Sequence, residues 1–248
     1  MKLIDLSEDK KPSLEKIKKQ MIKWCEKNID NFKNDYDEDD PEMYDLIPES
    51  NKIFGYDLFI DTEDTELPYS MMCGEDFIIK GKNLISFKNF PDIDDQRGEL
   101  PMFSFDDCVK LDFKDFFYPE GELKINFLYF SDSSNINPRR LNTSQQYTQL
   151  HFLSCDNPDI LNIDNYTALD VIEDLQFENI DYKIQNLTSI FDTNIKKLYI
   201  DRGEGNNVYG DMQRVKLNDI IEKYLTLGKS HAMDMAVELT DSGFEDEV

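Results

Sequence analysis

The chain has 248 residues, enough for one large domain or two small ones. Hydrophobic residues make up 40% and aromatics 12%, which supplies a core and excludes wholesale disorder, while ten glycines and nine prolines exclude collagen-like and linker-dominated architectures. Lys plus Arg number 27 against 52 Asp plus Glu, a net charge of −25 that repels phosphate backbones and anionic membranes and attracts basic partners.

Residues 13–33 have helical texture. Ser13 can cap, Glu15 favours the first turn, and Leu14, Ile17, Met21, Trp24, Cys25 and Phe32 follow helical spacing. The opposite face carries Lys16, Lys18, Lys19, Lys23 and Lys27. It is a solvated face that the following acidic stretch can neutralise, and the field of the whole chain opposes a phosphate- or membrane-binding role.

Residues 35–66 reverse the charge. Asp35, Asp37, Glu38, Asp39, Asp40 and Glu42 form a dense run, extended by Asp61, Glu63, Asp64 and Glu66. These ten are the candidate partner-binding acids. Like charges at this density resist compaction, so 34–50 is expected to be a linker or an exposed acidic arm. The organisation that follows is an N-terminal amphipathic helix over 1–34, an acidic, partly linking segment over 35–66, a strand-rich main domain over 67–240 and a fraying acidic tail over 241–248.

From residue 77 short alternating pieces recur: Ile85-x-Phe87, Phe103-x-Phe105, Phe127-x-Tyr129, Leu150-x-Phe152, Leu175-x-Phe177, Leu198-x-Ile200 and Val215-x-Leu217. Their starts lie 18, 24, 23, 25, 23 and 17 residues apart. Tyr147, Ile172, Ile195 and Met212 precede four of these pieces by three positions, and Cys108, Cys155, Asn179 and Asn218 follow four of them. Each cycle therefore reads apolar-x-x-apolar-x-apolar and then a polar turn. Over 147–218, in YTQLHFLSC, VIEDLQFENI and NIKKLYID, this resembles leucine-rich repeats, with Phe and Tyr often in place of Leu. The resemblance implies an α/β fold in which each unit adds one strand to a curved parallel sheet, with an N-terminal amphipathic helix. The alternative is a single α+β domain with an ordinary mixed or antiparallel sheet. Further on, Asn218 can cap a helix over 219–227 that Gly228 ends, and 232–239 is a helix or a last strand.

Motifs for chemistry are scarce. His151 lies inside a strand-like piece and His231 in a loop. Cys155, four residues after His151, would share a strand face with it as a packing neighbour, with no oxyanion hole in view. The four cysteines, Cys25, Cys73, Cys108 and Cys155, form no C-x-x-C and are expected to be buried free thiols in a reducing compartment. DYDEDDPEMYDL and DTEDTELPYS lack the glycine of a calcium loop. Gly203, Gly205 and Gly210 in DRGEGNNVYGD match neither a dinucleotide fingerprint nor a P-loop, and Arg139 and Arg140 stand apart from any aromatic patch.

The expectation is a non-catalytic, cytoplasmic protein with no cofactor and no metal, binding neither nucleic acid directly nor membrane. It would engage a basic protein partner as an inhibitor or an immunity or anti-defence protein. Nucleic-acid mimicry, a structural or virion assembly role, and an enzyme with a carboxylate site are the alternatives.

Overall fold

The computed structural model describes residues 12–38, 43–93, 102–111, 125–132, 136–141, 146–155, 157–202 and 208–248. Helix α1 (Leu14–Asn28) begins where Ser13, in extended conformation, accepts a hydrogen bond from the Lys16 amide at 3.3 Å. Its apolar stripe buries Met21 and Cys25. The helix stops five residues short of the expected end, because Ile29 leaves it to bridge Ile60 and Asn31 takes a left-handed φ of 59°. A short turn, α2 (Phe32–Asp35), then drives Phe32 into the core. The lysine face meets the following acidic stretch at one point, Lys18 with Glu38 at 2.6 Å, while Lys19 pairs within the helix with Glu15 at 2.6 Å.

The acidic stretch is not an arm along its whole length. It contains the antiparallel pair β1 (Tyr44–Ile47) and β2 (Lys52–Gly55), turned at Asn51 with a φ of 58°, followed by β3 (Leu58–Asp61). Tyr44, Leu46, Ile53, Leu58 and Ile60 alternate inward and are buried, so apolar burial outweighs the surrounding charge.

From β2 onward the chain coils between two sheets. Strands β4 (Ser70–Cys73) and β6 (Asp92–Ile93) extend β2 in parallel to make a four-stranded sheet. Alternating with them in sequence, β5 (Phe77–Lys80) and β7 (Met102–Asp106) extend β3 in parallel. Strands β8 (Ile125–Ser131), β9 (Gln146–Leu153), β10 (Val171–Glu178) and β11 (Leu198–Asp201) complete a seven-stranded, all-parallel sheet in the order β11-β10-β9-β8-β7-β5-β3. In the later coils 3-10 turns at Pro138–Arg140, Ile163–Tyr166 and Leu187–Asp192 lie on the return path. The fold is thus α/β, a parallel solenoid-like sheet of repeated coils with an N-terminal helix.

Register converts the sequence repeat into columns. Leu58, Phe77, Phe103, Leu128, Leu150, Leu175 and Leu198 stack in one, and Ile60, Ile79, Phe105, Phe130, Phe152, Phe177 and Ile200 in the next. All fourteen are buried. Tyr147, Ile172 and Ile195 start a third, which is the role of the apolar residue three positions earlier. Phe105, Phe130, Phe152 and Phe177 form a continuous ring stack with centroids 5.6, 5.3 and 5.8 Å apart, set by the strand spacing.

The turn after β7, β8, β9 and β10 repeats too. Asp107, Asp132, Ser154 and Asn179 all take left-handed φ values, from 49° to 53°. The amides of Asp107, Asp132 and Ser154 each donate at 3.0 Å to the last carbonyl of the following strand, so the ladder continues past the strand ends. The kink then turns the next residue inward, which buries Cys108 and Cys155; their thiols donate weakly to the carbonyls of Ile79 and Phe130. All four cysteines are buried as thiols, outside any disulfide. Burial pushes the thiols of Cys25, Cys73 and Cys108 up to about 12, which leaves them inert.

Both ends of the long sheet are closed. At one end the Asp30 amide donates to Phe59 O at 2.9 Å. At the other, helix α3 (Asp211–Leu227) covers β11, and the Asn218 side chain serves both backbone groups of Ile200: it accepts from the amide at 3.0 Å and donates to the carbonyl at 2.7 Å. Asn218 is therefore a surrogate strand partner inside the helix and not its cap; the cap position is Gly210. Val215-x-Leu217 is helical, with Met212 exposed, and Ile85-x-Phe87 lies in a loop, so neither is a strand. Gly228, at a φ of 85°, ends α3 as expected, and helix α4 (Ala232–Asp241) follows. The acidic tail does not fray: Phe244 and Glu247 are buried, Tyr209 donates to Glu247 at 2.9 Å, and Lys183 meets Asp246 at 2.9 Å.

Candidate recognition face

Alternate strand positions put a second set of residues on the outer face of the long sheet. One row runs Phe59, Ile78, Ser104, Tyr129, His151, Gln176, Tyr199 in register. On one side lie Met102, Phe127, Gln149 and Asp174; on the other lie Asp61, Lys80, Asp106, Ser131, Leu153, Glu178 and Asp201. Phe127 and Tyr199 are 41% and 43% exposed, unusual for aromatic side chains on strands whose neighbours are fully buried. The seven strands carry six carboxylates, Asp61, Asp106, Glu173, Asp174, Glu178 and Asp201, against one lysine, Lys80, which sits 3.7 Å from Asp106. The face is thus aromatic along its middle and anionic along its margins.

His151 stands mid-row with its side chain 15% exposed. Its ring meets the Tyr129 ring edge-on, centroids 4.7 Å apart, and its Nε2 lies 3.1 Å from a Glu178 oxygen without hydrogen-bond alignment. Burial holds the imidazole below the ordinary histidine range, opposed by the charges of Glu178, Asp174 and Asp201. Burial, reinforced by the negative field of Glu178 and Asp106, pushes the Tyr129 hydroxyl up to about 12. Gln176 donates to Asp174 at 2.9 Å and holds that carboxylate over the strand.

At the β11 end, α3 rises as a wall and leaves a groove of about 730 Å³ between helix and face, whose charged lining is mixed: Asp174, Asp219 and Glu222 against Lys196, Lys197 and Arg214. Arg214 reaches to 3.5 Å from Asp201. A second hollow, of about 670 Å³, lies at the opposite end beside Asn28, Phe59 and Ile78.

Of the ten acids expected to bind a partner, seven are described, and at least three of these are engaged within the chain. Glu38 is held by Lys18, Asp64 accepts the Trp24 indole N–H at 2.7 Å, and Glu66 lies 3.5 Å from Lys88. Asp35 ends α2, with Asp37 just beyond it, and the Glu63 carbonyl receives the Asn83 side chain. Asp61 joins the outer face at the end of β3. Asp39, Asp40 and Glu42 lie outside the described residues, as does 203–207 of the glycine-rich segment. His151 and Cys155 do not share a face, because left-handed Ser154 turns Cys155 inward while His151 points outward. His231 pairs with Asp234 at 2.9 Å on the surface. No group of metal-binding side chains occurs among the described residues, and no helix there is long and apolar enough to cross a membrane.

Ser104, His151, Gln176 and Tyr199 of the outer row occupy the "x" of their apolar-x-apolar pieces, so the repeat pattern does not mark them as one row. In one piece the register itself slips: Leu128 and Phe130 point inward, not Phe127 and Tyr129. Four consecutive apolar residues, Phe127–Phe130, carry no alternation from which to choose. The signal that resolves it is the column, since Leu128 must match Leu150 and Phe130 must match Phe152.

The chain is a solenoid-like parallel-sheet protein with closed ends and one open, anionic, aromatic-lined face. Comparison with protein-family models, with curated proteins and with solved structures gives no match.

Proposed function

We propose that this is a non-catalytic binding protein whose outer sheet face docks a basic protein, in the manner of an inhibitor or an immunity or anti-defence protein. The observation that carries the proposal is the in-register row of Tyr129, His151 and Tyr199, with exposed Phe127 beside it, on strands that carry six carboxylates and one lysine. Aromatic side chains supply contact area and cation–π acceptance for lysine and arginine, and the carboxylates supply complementary charge. A net charge of −25 would speed the encounter and set its salt dependence. The order Asp106, Ser131, Leu153, Glu178, Asp201 interrupts the even carboxylate spacing that nucleic-acid mimicry needs, so the margin suits protein side chains better than it imitates a phosphate backbone.

The same proposal takes the coils as leucine-rich-repeat-like. The Leu128, Leu150, Leu175 and Leu198 column, the left-handed turns and the 3-10 returns support it.

The test is fluorescence anisotropy with a labelled peptide of alternating lysine and leucine, at low and at physiological salt. The double variant Glu178→Gln, Asp201→Asn is compared with Asp241→Asn, Glu245→Gln, which changes the charge equally at the far tail. Docking on the face requires the first pair to weaken binding at least severalfold more than the second. Equal losses would mean that only total charge matters, and the proposed face would be wrong.

A further inference from the structure

The groups around His151 are mostly negative or neutral, and the cations Lys196, Lys197 and Arg214 stand at the β11 end. Tyr129 comes from β8, with Asp132 in the turn behind it; Asp174, Gln176 and Glu178 come from β10, Asp201 from β11 and Asp106 from β7. Two cations pair with acids of this set, Lys80 with Asp106 at 3.7 Å and Arg214 with Asp201 at 3.5 Å, and offset part of its charge. Burial against Tyr129 resists an imidazolium while Glu178 at 3.1 Å favours one, and burial prevails. The ring is therefore neutral at neutral pH and sets no positive charge against Glu178 and Asp174. A proton taken up on mild acidification places a positive charge in the middle of the row, against Glu178, and removes one net negative charge where a basic partner would sit.

We propose that the recognition face is proton-gated, with His151 as the gate: protonation of this one ring releases a basic partner. The proposal rests on the face being a docking surface. Its logic is reciprocal. A lysine-bearing segment laid over the row would cover His151 and bring its own positive charge, so binding expels the proton and the proton weakens binding by the same factor. With a single site the affinity falls by at most about tenfold per pH unit below the free protein's His151 midpoint.

The experiment joins two measurements on the full chain. NMR follows the imidazole signals of the two histidines through a pH titration, with and without the alternating lysine–leucine peptide. The His151→Gln variant identifies which signal is which. Anisotropy follows binding of the same peptide against pH. The expected result is a His151 midpoint below about 6.5 that falls further with peptide bound, and wild-type affinity that drops below that midpoint while His151→Gln stays flat. If the peptide binds but both proteins show the same pH profile, or if its midpoint is unmoved by the peptide, the gate is overturned and the docking face stands. If no peptide binds at any pH, the docking face fails and the gate falls with it. Should His151→Gln misfold, the wild-type midpoint with and without peptide decides the matter.

Discussion

The long sheet has two faces made from the same strands and offset by one residue. The inward face is uniform: leucine, isoleucine and phenylalanine stack rung on rung, with a continuous ring column from Phe105 to Phe177. The outward face is mixed, with aromatic rings, a histidine, amides and carboxylates in adjacent rungs. The difference teaches that stability and recognition are separated here by the strand's period of two. A substitution on one face should register in unfolding, and its neighbour on the other face should register in binding.

The largest effect that could break this division is expected at Phe152. Its ring is fully buried between Phe130 and Phe177. Phe152→Ala should cost about 3–5 kcal/mol in urea unfolding, because a cavity opens in the middle of the stack. A loss no greater than that of an outward substitution would mean that the column does not bear on stability. Next in size is Asn218→Ala. It would leave the Ile200 amide and carbonyl without their partners at the end of the sheet, a loss of about 1–3 kcal/mol, partly offset by alanine's better helix propensity. Hydrogen exchange at Ile200 should rise selectively; unchanged protection there would show that α3 covers the strand without that amide.

How much of this was legible in sequence follows from the same period of two. The inward columns were visible because each unit repeats the same residue class at the same offsets, as in Leu150-x-Phe152 and Leu175-x-Phe177. The coiling into a parallel stack was visible in the near-constant spacing. Val215-x-Leu217 fitted the same template by coincidence, since two apolar residues at i and i+2 also occur on a helix, and only the following stripe of Ile220, Ile221 and Tyr224 distinguishes them. The candidate site was not legible. Carboxylate density pointed to 35–66, but density does not report whether a partner lies nearby in space: Asp64 meets Trp24 forty positions away in sequence, and Glu38 meets Lys18 twenty away. On the outer face the acids are sparse in sequence and become neighbours only through register.

Two buried titratable groups sharpen the comparison through pH. In the C-terminal turn, away from both faces, burial raises the Glu247 carboxyl above its ordinary range, against the Tyr209 hydrogen bond and Lys183. A raised acid favours the fold while protonated, so its contribution is full below the ordinary carboxyl range and is lost as pH rises through the folded value. Glu247→Gln keeps an acceptor for Tyr209 and removes the ionisation. It should be at least as stable as wild type at neutral pH, and the wild-type gain on mild acidification should vanish. On the outward side the sign is opposite. His151 is held low, so its contribution is present above the ordinary histidine range and is lost as pH falls through the folded value. His151→Gln should flatten that acid-side decline in a thermal-melt series; a decline of unchanged slope would place the responsible group elsewhere.

The smallest expected effect is the most telling about the division of labour. Tyr199 lies in the outward row of the last strand, 43% exposed, with buried Leu198 and Ile200 on either side in sequence. Tyr199→Ala removes a large ring at the mouth of the groove under α3 but leaves both inward columns intact. Its unfolding free energy should stay within about 0.5 kcal/mol of wild type, the range of surface substitutions away from buried features. Binding of the lysine–leucine peptide should nevertheless fall severalfold, because the ring offers contact area and a cation–π surface that no backbone group replaces. A loss of more than about 1.5 kcal/mol in stability would show that the ring braces α3 against the sheet, and Tyr199 would then belong to the architecture of the cap and not to the face.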